Sequence, residues 1–261
     1  MTEPPVGTDD GFPSDRHALY ELCVQRPEEL ASVLRRVHGG APVTLGEDFC
    51  GTMALSRAWV HTDPAARAVA VDRDASVLHR SPEVRAVRRV LGDVVEATSP
   101  TEHAVDVLHA GNFSIGEWTT RVHLMTYLRH ARARLRPGGV FVCDVYGGES
   151  AFLTGRVDRE HPGPGGAVIR YTWEQRSADP ITGRVVNAMH FEVRRDGAVV
   201  TTHRDAFVYS WRLWGVAELR DALDEAGFAR SDVFSRGEPV RPLVPGELEA
   251  GYDVLIAARA T

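Results

Sequence analysis

Five short apolar runs punctuate the first two-thirds of this chain, and helical patterns fill the stretches between them. The runs are residues 43–48 (VTLGED), 67–72 (RAVAVD), 87–91 (VRRVL), 104–109 (AVDVLH) and 139–145 (GVFVCDV). Helices are predicted near 52–60, 74–80 and 118–135, the last stopped by Pro137, Gly138 and Gly139. Strands that alternate with helices read as βαβ units and a parallel sheet. A helical stretch over 15–38 precedes the first strand. Leu19, Leu22, Leu30, Val33, Leu34 and Val37 form its expected buried stripe, and Pro27 breaks or restarts it.

Beyond about residue 165 the pattern changes. Runs at 167–176, 185–195 and 198–211 are rich in β-branched and aromatic residues, with DPITG and RRDG as turns between them. This predicts an antiparallel meander. A helix over 216–226, stopped by Gly227, and strands near 231–235 and 252–259 complete the chain. Residues 146–166, with six glycines and two prolines, read as an irregular loop beside the active site. Residues 1–14 read as a flexible leader, and 15–261 as one domain with 146–211 a substrate-side insertion.

Composition removes several function classes. The net charge of −6 argues against nucleic acid as a partner. No stretch approaches the roughly 20 apolar residues of a membrane helix, and the N-terminus lacks the features of a secretory signal. Cys23, Cys50 and Cys143 are odd in number and far apart. That argues against a disulfide framework and for a reducing, cytoplasmic setting. No cysteine or histidine spacing suits a metal. All 30 basic residues are arginine. Schiff-base enzymes, pyridoxal phosphate enzymes and Walker-type phosphate loops need a lysine, so all three are excluded. A homo-oligomer is left open.

The segment Leu45–Ala54, LGEDFCGTMA, falls at the turn after the first strand. In doubly wound sheets that turn faces the ligand crevice. Gly51 lets a ligand approach the backbone. Asp72 ends the second strand, where an acid can accept both hydroxyls of a ribose, and Asp93 follows the third, where it could accept from an adenine amino group. An acid after one strand is an ordinary cap. The succession after three strands is the signal.

EDFCGT, AVDRD, LGD, VLHAGNFS and LRPGGVFVCD, in that order, resemble the motifs of class I S-adenosylmethionine-dependent methyltransferases. The likeness runs over roughly 15–261 and is nearest to small-molecule enzymes of the glycine N-methyltransferase type. It implies a Rossmann-like α/β fold with a mostly parallel seven-stranded sheet and a β meander after strand five. It implies S-adenosylmethionine as cofactor and a small-molecule methyl acceptor, methylated on oxygen or nitrogen by in-line displacement. By the same resemblance Glu47 orients the methionine part, Gly51 is the loop glycine, and Asp72, with Arg73 beside it, meets the ribose. Asp93 and Val94 neighbour the adenine, Gly111 and Asn112 pass the sulfonium, and Tyr20 folds over the cofactor. The family places three glycines at alternate positions after the acid. Here the first and third are Phe49 and Met53. Phe49 is expected to stack on the cofactor or alter the turn.

Deprotonating the acceptor needs a base. Candidates are His109, Tyr146, His203 and Tyr209. Alternation predicts Thr201, His203, Asp205, Phe207, Tyr209 and Trp211 on one face, an aromatic lid over the crevice or the packed core of the meander. Two other readings stay open on the residues alone: a non-catalytic S-adenosylmethionine-binding protein and an NAD(P)-dependent oxidoreductase. A metal-assisted enzyme would use Asp144, but no second carboxylate is placed to share the ion.

Overall fold

The structure, a computed structural model, describes residues 15–236 and 239–261; the expected leader lies outside them. Pro27 disfavours helical backbone at the residue before it. Gln25 and Arg26 are accordingly non-helical, and the first helical pattern becomes α1 (Arg16–Val24) and α2 (Pro27–His38). Pro27, Glu28 and Glu29 open α2, Arg35, Arg36 and His38 fill its last turn, and Gly39 caps it at φ 78°. Leu22 departs from the expected stripe and is 39% exposed.

Strands β1 (Thr44–Asp48), β2 (Arg67–Asp72), β3 (Val87–Leu91), β4 (Val105–Ala110) and β5 (Leu135–Gly148) are parallel. Helices α3 (Ala54–His61), α4 (Ala75–Leu78) and α5 (Arg121–Arg134) connect them, with α4 shorter than expected. After α6 (Val216–Glu225), β10 (Arg230–Ser235) and β11 (Gly251–Arg259) join the far edge, β11 antiparallel to both neighbours. The order is β10-β11-β5-β4-β1-β2-β3, the seven strands expected. The winding reverses between β1 and β4, which makes their carboxyl ends the switch point where ligands bind in such sheets.

Between β5 and α6 the chain builds a second, antiparallel sheet of β6 (Gly155–Pro162), β7 (Val168–Asp179), β8 (Arg184–Arg195) and β9 (Ala198–Arg212). β6 corrects the expectation of an irregular loop over 146–166. Almost every residue of this edge strand is exposed, so it carries no alternating apolar pattern to read. A second correction concerns β9. Phe207 faces Met189 on β8 while His203 faces Phe191, so four steps on β9 match two on β8. This bulge, with Asp205 at φ 51°, turns Asp205 out to His190 and breaks the expected alternation.

Three cores hold these layers. α2 and α3 pack on one face of the first sheet, α5 and α6 on the other. The third core joins Leu19 and Cys23 of α1 to Ile169, Tyr171, Met189 and Phe191 of the second sheet. Among the described residues no helix is long and apolar enough to cross a membrane.

One buried ion pair locks α5 to β1. Arg134 Nη1 meets Asp48 Oδ1 at 2.9 Å with both side chains fully buried, and Tyr127 donates to Asp48 Oδ2 at 3.0 Å. Removing one partner strands a buried charge. Arg134→Met should therefore cost about 3–5 kcal/mol in urea unfolding, and adding Asp48→Leu should recover part of that loss. Equal losses in the single and double variants would mean that the pair is not the source of the effect.

Candidate active site

Three cavities open along the carboxyl ends of β1, β2 and β4. The largest, about 310 Å³, is bordered by Gly51, Asp72, Arg73, Asp93, Val94 and Asn112 from the first sheet. Tyr20 of α1 and Phe207, Tyr209 and Trp211 of β9 close it from the other side. A second, of about 220 Å³, runs from Phe49 past Glu47, His109 and Gly111 to Gln25, Arg26 and Arg236. The third, of about 300 Å³, lies against the second sheet, with Tyr20, Phe113, Tyr146, Tyr171, Trp173 and Asp253 on its walls. Asn112 borders all three.

The turn after β1 keeps a glycine-type backbone where the glycines are missing. Phe49, Gly51 and Met53 have φ of 58°, 52° and 60°. Such values cost a non-glycine residue of order 1–3 kcal/mol. Met53 is fully buried in the α2–α3 core, and Phe49 lies edge-on to Trp118 and Tyr127 at 6.1 Å. Packing thus offsets strain at both positions. Asp72 Oδ2 accepts the Gly51 amide at 2.8 Å and ties the turn to β2, while Oδ1 accepts Asp74 N at 2.9 Å. Each oxygen keeps a lone pair for a ligand hydroxyl. Asp93 accepts Val95 N at 2.8 Å at the end of β3.

Glu47 is buried, and both its hydrogen bonds, from Ser56 N and Oγ, go to Oε2. Burial pushes its carboxyl up to about 7 against those bonds. Burial pushes the neighbouring His109 down to about 4. Asn112 and Phe113 sit at φ 54° and 62°, and Asp144 accepts both amides, at 3.1 and 2.9 Å. Arg236 bridges Asp144 and Asp253, at 3.0 Å each.

The candidate bases separate. Tyr146 lines the third cavity, bonded to Asn187 (2.9 Å) and Gln175 (3.4 Å), and burial pushes its phenol up to about 12. Tyr209 instead stacks on Trp211 at 4.4 Å above the first cavity. His109 borders the second, and His203 borders none of the three. Of the expected cofactor residues, Tyr20, Phe49, Gly51, Asp72, Arg73, Asp93, Val94 and Asn112 border the first cavity, and Glu47 and Gly111 the second. Gln25, Arg26, Trp118, Arg236 and Asp253 were not singled out from the sequence. Trp118, close behind GNFS, carried a readable signal; the others reach the site only through tertiary folding.

No protein-family model and no curated protein matches this sequence. Solved structures do. An amino pentose methyltransferase from Micromonospora echinaspora with bound S-adenosylmethionine is 16% identical, with a TM-score of 0.69 and all of both chains covered. DesVI of Streptomyces venezuelae is 17% identical with a TM-score of 0.70, over 94% of this chain and 97% of its own. A sugar N-methyltransferase from a Streptoalloteichus species is 17% identical with a TM-score of 0.66, over 100% and 98%. The chain therefore has the Rossmann-like fold of S-adenosylmethionine-dependent methyltransferases.

Glu47 gives the site a pH signature. The folded chain holds this proton more tightly than an ordinary carboxylate of 4.5 does. Stability from this group therefore falls as pH rises from about 4.5 to 7 and is flat above. Glu47→Gln should remove that slope, so its stability relative to the parent should climb between pH 4.5 and 8 in urea titrations. A difference that does not change with pH would count against a proton on Glu47.

Proposed function

We propose that this protein transfers the methyl group of S-adenosylmethionine to an oxygen or nitrogen of a small molecule. The junction at Asn112 carries the reading: a chamber with two acids at strand ends and an aromatic chamber meet at one residue. The structurally similar sugar methyltransferases support a small-molecule acceptor. We assign Asp72 to the ribose, Asp93 and Val94 to the adenine, Glu47 to the methionine end, and residues 146–211 to the acceptor side. Buried polar atoms without partners fit a polar ligand. Among the described residues Trp118 Nε1 and Gln25 Oε1 are such atoms, and both residues border the first chamber. The three unpaired, buried cysteines suit a cytoplasmic setting, and the acidic charge disfavours nucleic acid as a partner.

Bound S-adenosylmethionine supplies a methyl carbon activated by its sulfonium for in-line displacement. The chain has to align the acceptor with that carbon and exclude water, an effect worth about 7–11 kcal/mol. Tyr20, which borders the first and third chambers, and the stacked Phe207, Tyr209 and Trp211 screen the crevice. The proton of the acceptor needs a base facing the third chamber. Tyr146 and Tyr171 are both pushed up to about 12 and Cys23 to about 11, burial raises Tyr20 well above the usual phenol range, and Arg159 and Arg236 are cations. Asp253, its carboxyl raised by burial, is the remaining titratable group there, and we assign it that role.

Calorimetry should find S-adenosylmethionine and S-adenosylhomocysteine bound in the micromolar range, with no heat from NAD or NADP. Binding of NADP with silence toward S-adenosylhomocysteine would overturn the reading. Asp72→Ala should weaken S-adenosylhomocysteine at least about 10-fold, since charge-assisted hydrogen bonds to two hydroxyls are lost. Asp253→Asn should leave that affinity within about threefold, roughly 0.7 kcal/mol. Its turnover should fall by about 10² or more, the usual worth of a positioned base.

A further inference from the structure

His109 has an unused hydrogen-bonding capacity that the proposed function leaves unexplained. It is 4% exposed and borders the second chamber, and its Nε2 has no hydrogen-bond partner among the described residues. A buried polar group without a partner is costly, so such groups are paired in native proteins. In the parallel register His109 on β4 lies directly beside Glu47 on β1. Neighbours in register point to the same face of the sheet and stand one strand spacing apart, about 4.8 Å. Glu47 is likewise half used, because both its bonds go to Oε2. The second chamber thus carries two adjacent acceptors, a carboxyl and an uncharged imidazole. One group that can serve both must donate at least two protons from one atom, and a primary ammonium has three. Gly111 makes room for this arrangement: a Cβ there would stand 2.1 Å from the imidazole Cε1.

We infer that His109 is a cofactor-selecting residue, which with Glu47 receives the α-ammonium of S-adenosylmethionine. This rests on the proposed function and replaces the role of general base for this histidine. Its position favours the reassignment. His109 borders the chamber of Glu47, Gln25 and Arg26 and does not border the one that holds Tyr146 and Asp253. Its low basicity agrees, since burial holds it near 4.

The test compares S-adenosylhomocysteine with 5′-methylthioadenosine, which lacks the amino-acid portion, by calorimetry on the whole chain. His109→Leu should weaken S-adenosylhomocysteine about 10-fold or more and leave methylthioadenosine within about twofold. His109→Gln, which restores an acceptor oxygen, should recover most of the loss. Gly111→Ala, which displaces the ring without removing it, should reproduce the Leu result and serves if the Leu variant fails to fold. Parallel losses for both ligands would make His109 mere packing and overturn the inference. Unchanged affinities with a collapsed turnover would restore it as a base and overturn the inference equally. Failure of the unsubstituted protein to bind either ligand would instead refute the proposed function on which the inference rests.

Discussion

Asp144 holds the one turn on which all three chambers depend. Asn112 and Phe113 follow β4 in left-handed backbone, a conformation that costs residues other than glycine of order 1–3 kcal/mol each. Their amides need acceptors, and the buried carboxylate of Asp144 takes both. A carboxylate buried among apolar strands needs a counter-charge in turn, and Arg236 brings one from beyond β10. Arg236 also grips Asp253 on β11 and lies over the Phe113 ring at 5.5 Å. The turn, the far edge of the sheet and the third chamber therefore form one electrostatic unit. Its geometry sets where Asn112 stands, and Asn112 is where the chambers meet.

Two consecutive acids on β1 show how the pleat divides labour. Successive strand residues face opposite sides of the sheet. Asp48 faces α5, where Arg134 and Tyr127 satisfy it. Glu47 faces α3 and the chambers, where, among the described residues, Ser56 alone bonds to it and burial raises its carboxyl. One side chain is spent on cohesion. The other is left with spare bonding capacity beside His109, at the strand ends where a doubly wound sheet takes its ligand. A one-residue slip of β1 would exchange these roles and leave a charge unpaired on each face.

The fold was legible because βαβ alternation leaves little topological freedom and each strand of the first sheet has its apolar run. The turn after β1 was legible for a subtler reason. The resemblance placed glycines at 49, 51 and 53, and all three positions keep positive φ although two now carry large side chains. Backbone shape outlasted the residue type that makes it easy. β6 was not legible, because an exposed edge strand needs no apolar pattern. Nor was the outward turn of Asp205, because a bulge interrupts the period on which alternation depends. Gln25, Arg26, Arg236 and Asp253 escaped because no local pattern marks a residue whose partners lie in other elements.

The packing explains why the crevice sits where it does. α1 shares a core with the second sheet, while α2, which follows directly, packs on the first. The break at Gln25 and Arg26 is therefore the hinge of the chain between two packing units, and both residues border the second chamber. Tyr20 of α1 meets Phe207 of β9 edge-on at 5.2 Å, so the wall over the first chamber is packed as part of the second sheet. The floor, from Glu47 to Asp93, belongs to the first sheet. A ligand at such a seam replaces contacts between two cores instead of invading one, which avoids the strain of opening a close-packed interior. It also touches both units at once, with the floor on one core and the wall on the other.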